Sequence, residues 1–421
     1  MDNFVTQVSS LVCPQDAPTI RELAASTRAS KVPPFYVMEV MKAAAAMELR
    51  GETVLHMEVG QPSNGAPSGA LAAAHACLDK CAAGTDSLGY TVADGIASVR
   101  ERIAQHYQKR YDVEVSKDSV VVTTGSSAGF VLSFLAAFEV GDRVAIAAPG
   151  YPCYRNILEA LGVIVVTLPV DASSNFQPTT AHLEEAAKNG ALRGLVIASP
   201  SNPTGTVLSK QELFALQAWC KQKSVWLISD EIYHQVEFGD EKAATALEGS
   251  DASENTIVIN SFSKYHCMTG WRVGWMVVPP KLMPAVVALQ QNLFINAPTL
   301  SQHAAAASFD CHEELDKHVD RYRLNREILL TGLPSAGFSK LSHSTGAFYI
   351  YADVSDMCDD SVALCKRILD TTGIAITPGV DFDRERGHKF VRFSFSGSTE
   401  TVREAVRLLQ QDKRWLAADG V

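Results

Sequence analysis

Lys264 stands three residues after Ser261 and eight before Arg272, directly past an apolar, β-branched run, Thr256-Ile257-Val258-Ile259. A run of that kind reads as a buried strand. A lysine at its end can form a Schiff base with an aldehyde. The serine hydroxyl and the guanidinium can then hold a phosphate carried by that aldehyde, the arginine as a bidentate fork. Ser-x-x-Lys alone is common and also occurs in penicillin-binding motifs. The remaining polar residues decide between these readings.

Val225–Ser229 runs into Asp230-Glu231-Ile232-Tyr233. A carboxylate there can pair with a protonated ring nitrogen, and Tyr233 can bond a ring oxygen. The bland alternative is an N-cap aspartate beside a packed tyrosine. Gly194–Ala198 leads into Ser199-Pro200-Ser201-Asn202-Pro203-Thr204-Gly205, a rigid turn that can present the Asn202 amide or can be a plain loop. Val120–Thr123 leads into Thr124-Gly125-Ser126-Ser127-Ala128, where a helix start can bind phosphate or merely be capped. Tyr151, after Pro149-Gly150, can stack on a planar ring or fill a core. Tyr90, in Gly89-Tyr90-Thr91, reads as an exposed loop tyrosine. Arg392 lies inside the apolar run Phe390–Phe393. A buried arginine needs a partner, either a substrate carboxylate or a structural Asp or Glu.

These residues need a frame. Ser119–Thr123, Arg143–Ala148, Val163–Leu168, Gly194–Ala198, Val225–Ser229 and Thr256–Ile259 are candidate strands, with helical segments between most of them. Alternation of this kind predicts an α/β fold with a mainly parallel sheet covered on both faces. Ligands bind at the carboxyl ends of such strands, where the polar residues above fall. Residues 1–30 read as a loose arm. Phe35 to Arg50 reads as a helix stopped by Gly51, and Thr53–Val59 as a strand before the Gly60-Gln61-Pro62 turn. Past residue 300 the pattern changes to a long helix, about 312–332, then strands Ala347–Ala352 and Phe390–Phe395 and a helix at about 399–411. The expected division is an N-terminal arm (1–30), an N-terminal piece of a small α+β domain (31–64), a large domain (65–300) and the rest of the small domain (301–421).

The chain's 421 residues exceed one ordinary core. A net charge of −10 argues against a nucleic-acid partner. The longest apolar stretch, around residues 130–140, is too short to span a membrane. The first twenty residues lack a signal core, so a cytoplasmic protein is expected. Nine scattered cysteines without C-x-x-C pairs fit a reducing compartment. Cys77 and Cys81 read as core residues. His312 and His318 do not form H-E-x-x-H, so no metal site is expected. No G-x-G-x-x-G or P-loop motif is present.

Taken in order, Gly60-Gln61-Pro62, Tyr90, Gly125-Ser126-Ser127, Tyr151, Asn202-Pro203, Asp230, Tyr233, Ser261, Lys264, Arg272 and Arg392 resemble the class I/II aminotransferases. These are fold type I, pyridoxal-phosphate (PLP) enzymes with a seven-stranded-type sheet. The resemblance runs from about Pro34 to Leu409. It implies that Lys264 is the Schiff-base lysine and proton shuttle, and that Asp230 pairs with the cofactor's ring nitrogen. It assigns Asn202 and Tyr233 to the phenolic oxygen, and Ser126, Ser127, Ser261 and Arg272 to the phosphate. Tyr151 would stack on the ring, and Arg392 would bind the substrate α-carboxylate beside the Gly60 backbone. Tyr90 would reach the phosphate of a neighbouring subunit, which implies a homodimer with shared sites. The resemblance implies transfer of an amino group from an L-amino acid to a 2-oxo acid by a ping-pong course. A C–S β-lyase or an aminocyclopropane-carboxylate-synthase type would be built from the same residues, and a non-catalytic sensor is a remote third reading. Phe35, Tyr36 and Phe348 match positions that in this family tend to lie near the substrate and would favour an apolar or aromatic side chain, and core packing is an equal reading for them.

Overall fold

The computed structural model describes residues 23–30, 32–239, 242–249 and 252–416, so most of the expected arm lies outside the described residues. A helix, Tyr36–Leu49, ends at Gly51, whose φ of +82° suits glycine. The strand expected over Thr53–Val59 shrinks to β1 (Leu55–His56). Seven strands then build the main sheet: β2 (Val120–Thr123), β3 (Arg143–Ala148), β4 (Ile164–Pro169), β5 (Gly194–Ala198), β6 (Trp226–Asp230), β7 (Thr256–Ser261) and β8 (Gly274–Val277). Their spatial order is β2-β8-β7-β6-β5-β3-β4. From the β4 edge, β4, β3, β5, β6 and β7 pair in parallel, each with the next, while β8 runs antiparallel to both β2 and β7. The sheet is therefore mixed.

β7 is buried at every residue, as are β2 and β8. A strand covered on both faces must be apolar throughout, which is why these segments read as runs and not as alternations. One face packs on Val99, Ile103, Tyr107 and Trp275, the other on Phe130, Phe134, Leu158 and Met276.

The C-terminal third holds a long helix, His312–Ala336, closed by Gly337 at φ +115°. An antiparallel sheet follows, ordered β12 (Thr377–Pro378), β13 (Phe390–Ser394), β10 (Tyr349–Asp353) and β9 (Lys340–Leu341). β10 begins two residues later than the run Ala347–Ala352 suggests. The remaining strand, β11 (Ile374–Ala375), pairs in parallel with β1, so the N-terminal segment joins this second core. Met57 accepts from Ser394 N at 2.8 Å and Glu58 O from Thr377 Oγ1 at 2.9 Å. These bonds carry the chain into Gly60.

Candidate active site

A cavity of about 300 Å³ lies at the carboxyl ends of β5 and β6, between the two sheets. Lys264, Asp230, Arg272, Arg392, Asn202, Tyr233, Tyr151, Ser126, Ser127 and Gly60 all border it. Ten of the twelve residues expected in the site thus meet around one space.

Lys264 Nζ donates to Gly60 O at 2.6 Å. Burial, and next the charge of Arg392, bring Lys264 down to about 8. An amine so placed sheds its proton far more readily than an exposed lysine. Gly60 leaves room for Tyr349, because a Cβ there would collide with the Tyr349 hydroxyl. Asp230 closes β6 and is 3% exposed. Burial raises it to about 6, opposed by a hydrogen bond from Tyr154, one from Ile232 N at 3.1 Å, and the Lys264 charge. It is not an N-cap: a non-helical turn follows it.

Gly125 opens the Gly125–Ala137 helix with φ +70°. A Cβ on Gly125 would meet Arg272 Nη2 at 2.6 Å, and one on Gly274 would meet Ser126 N at 3.0 Å. Bare backbone here lets the guanidinium lie against the helix start. The first turn carries no acidic residue. Its free amides, the helix dipole and Arg272 together suit a phosphate. Arg272 itself donates only to Thr269 O, at 3.2 Å, among the described residues.

Arg392 is 4% exposed and reaches no carboxylate among the described residues. Its Nη1 donates to Asn202 Oδ1 at 2.9 Å, its Nη2 to Glu58 O and Thr377 Oγ1, and its Nε to nothing. The ring of Tyr349 lies 4.4 Å from its Cζ. A buried guanidinium held by neutral groups retains its charge for an incoming anion.

Two expected residues lie elsewhere. Ser261 does not border the cavity. Its Oγ donates to Ser263 Oγ at 2.9 Å and accepts from Ser263 N at 3.1 Å, and it is Ser263 that faces the space. Tyr90 is 87% exposed and lines a separate groove with Thr124, Ile295 and Thr299. Of the aromatic residues expected near substrate, Phe35 borders the cavity. Tyr36 instead gives its N–H to Asp381 at 2.7 Å, and Phe348 is buried in the second core beneath Tyr233. The sequence reading missed Tyr154 and Tyr349. Tyr154 follows Tyr151 by one helical turn, a signal that was readable. Tyr349 shares a 2.7 Å bond with Tyr233 through their hydroxyls, a pairing no local pattern reveals. Phe35, Val37, Met38, Met41, Val59 and Ile232 form the apolar part of the wall. A larger cleft, about 610 Å³, opens between Arg102 and Asp316.

No group of three or more His, Cys, Asp or Glu side chains able to hold a metal occurs among the described residues. Nor is any described helix long and apolar enough to cross a membrane.

Residues 52–409 match the family described as aminotransferase class I and II. A valine–pyruvate aminotransferase of Mycobacterium tuberculosis is 49% identical over 89% of this chain and 95% of its own length. An aspartate aminotransferase of Thermotoga maritima is 31% identical over 90% of this chain and 97% of its own. Among solved structures, an aminotransferase from Mycobacterium tuberculosis superposes with a TM-score of 0.88 at 47% identity, covering 92% of this chain and 98% of that one. The aspartate aminotransferase of Thermus thermophilus with maleate superposes at 0.84 with 27% identity, over 93% and 100%.

Proposed function

Because the chain belongs to the class I and II aminotransferases and is an aminotransferase, we propose that it uses PLP to move the amino group of an L-amino acid with an aliphatic side chain to a 2-oxo acid such as pyruvate. The observation that carries this reading is the meeting of Lys264, Asp230 and Arg392 around one cavity. The donor set fits the cofactor. Arg272 and the bare helix start match a phosphate, and the buried Asp230 carboxylate matches a protonated ring nitrogen. Bound there, PLP supplies an aldehyde that takes up the amino group and a ring that accepts the electron pair released at the α-carbon.

Arg392 fixes the substrate's α-carboxylate, and its link to Asn202 sets the direction of approach. Lys264 would serve as the base that takes the α-proton and as the acid that gives it back, with bound PLP holding the released electron pair. Its lowered basicity leaves a useful fraction unprotonated near neutral pH. Asp230 keeps the ring nitrogen protonated. The second substrate then uses the same groups in reverse, which gives ping-pong kinetics.

The apolar wall supports an aliphatic side chain, as does the likeness to the valine–pyruvate aminotransferase of Mycobacterium tuberculosis. The three cations on the wall among the described residues, Lys264, Arg272 and Arg392, have other tasks, which leaves none of them for a second carboxylate. Tyr90, with Val92, Leu293 and Ile295, leaves an exposed apolar surface. A second copy covering it would bring Tyr90 to the partner's phosphate site in a homodimer.

The test is the visible spectrum of the loaded enzyme with single amino acids and no acceptor. Valine should shift the lysine-bound cofactor band to that of the amine form, with one 2-oxo acid released per site. Pyruvate should reverse the change. A shift with aspartate alone would replace the aliphatic reading by a dicarboxylate one. Continuous release of pyruvate and ammonia would make the protein a lyase.

A further inference from the structure

The turn after β6 holds a buried histidine that the proposed chemistry does not use. His234 is 4% exposed. Its Nε2 lies 3.0 Å from Ser199 O. A carbonyl only accepts, so Nε2 carries the ring proton. Nδ1 lies 2.6 Å from Tyr111 Oη. Burial, and next the charge of Arg110, hold His234 at about 3, so the ring is neutral and Nδ1 accepts from the tyrosine. Arg110 Nε donates to that same tyrosine oxygen at 3.1 Å, and its Nη2 pairs with Glu237 Oε2 at 2.7 Å. From Arg110 through Tyr111 and His234 to Ser199, every donor points the same way.

Ser199 joins this chain of bonds to the cavity. Its N–H donates to Asp230 O at 3.2 Å, and its Oγ accepts from Leu208 N at 2.9 Å. Three residues later Asn202 accepts from Arg392. The Ser199–Gly205 loop is therefore tied to the Asp230 turn at two points, one through the backbone and one through His234. The turn and the loop carry groups that act on different edges of the cavity, so their spacing matters.

We propose that His234 is a positioning residue: by donating to Ser199 O it sets the Asn202 loop relative to Asp230 and Arg392, and Arg110 and Tyr111 lock the one tautomer able to do so. The proposal rests on the reading that Asn202 faces cofactor and substrate. Glu231 Oε2 stands 3.5 Å from Nδ1 and offers a competing acceptor. With Tyr111 unable to donate, the Nδ1–H form becomes competitive, and that form cannot reach Ser199.

The experiment measures the PLP dissociation constant of the apoenzyme and the donor KM for His234→Leu, His234→Gln, Tyr111→Phe and Asn202→Ala. Asn202→Ala should weaken both, and His234→Leu should follow it by about tenfold, the scale of one buried hydrogen bond. Glutamine can place an amide where the ring Nε2–H lies, so His234→Gln should stay within about threefold of wild type. Tyr111→Phe should raise the donor KM and move the His234 ¹⁵N signals from the Nε2–H to the Nδ1–H pattern. Unchanged constants in Asn202→Ala would remove the underlying reading, and the proposal with it. If Asn202→Ala is impaired, a normal His234→Leu, or a His234→Gln no better than His234→Leu, would overturn the proposal alone. If His234→Leu does not fold, Tyr111→Phe decides, and unchanged ¹⁵N signals with unchanged KM would overturn it.

Discussion

The candidate site is smaller than the cleft between Arg102 and Asp316, and what marks it out is unspent bonding capacity. In the 610 Å³ cleft Arg102 pairs with Asp310, Arg110 with Glu237, and Tyr265 gives its hydroxyl to Asp316 at 2.7 Å, while Lys242 donates to the Arg110 carbonyl. In the 300 Å³ cavity, among the described residues, Arg392, Arg272 and Lys264 reach only neutral oxygens, and Asp230 pairs with no cation within ion-pair distance. Unpaired ions in a dry space are expensive, and a fold retains them where a ligand completes them. Volume alone would have chosen the wrong hollow.

Substitutions in the cavity should therefore cost function, and those in the cleft stability. Lys264→Ala should have the largest effect, a loss of turnover of about 10⁴-fold or more, since nucleophile and base disappear together. PLP should still bind, without a covalent link, by absorbance and mass spectrometry. Near-native turnover would remove Lys264 from the chemistry. Arg392→Lys comes next. It keeps the charge and loses the fork, so the donor KM should rise by roughly 10- to 100-fold, the worth of one or two charge-assisted bonds. An unchanged KM would show that the α-carboxylate binds elsewhere.

The cavity was more legible in the sequence than the frame around it. Lys264, Asp230 and Asn202 announce themselves because each sits where an apolar strand stops and a polar turn begins. β8 did not. Gly274-Trp275-Met276-Val277 is four buried residues directly after Arg272-Val273, with no alternation to mark it, and it supplies the antiparallel pairings of the main sheet. Ser261 lies a layer behind Ser263, which borders the space, and Phe348 sits in the second core with its ring centroid 5.8 Å from Lys264 Nζ, for a related reason. One step along a chain decides whether a side chain faces the space or the layer behind it, and that step depends on register. Tyr349 meets Tyr233 across 116 positions of sequence. Contacts of that range are set by packing the two sheets together, and no local pattern encodes them.

The cleft gives the sharper test of the comparison, because its central group is a histidine. His106 is 7% exposed among Tyr107, Tyr111, Trp275 and Phe309. Burial, and next Arg110, lower it to about 3. In the unfolded chain it titrates near 6.5. Between these values the unfolded state holds a proton that the folded state refuses, so stability is lost as pH falls from 6.5 towards 3. His106→Phe should remove that loss. The stability of the variant relative to wild type should grow by about 1.4 kcal/mol per pH unit below 6.5, measured by urea unfolding of both proteins across that range. Turnover should stay within about twofold at neutral pH, where the native ring is already uncharged. A parallel pH dependence in the two proteins would mean that His106 keeps its proton in the fold, and the cleft would then hold an unspent charge of its own. Arg102→Ala should do least. Its partner Asp310 is 72% exposed, and water screens the pair, so the cost should stay below about 1 kcal/mol with kcat/KM unchanged. A loss of activity there would end the distinction between the two hollows, because it would tie a self-paired surface ion to the chemistry of Lys264.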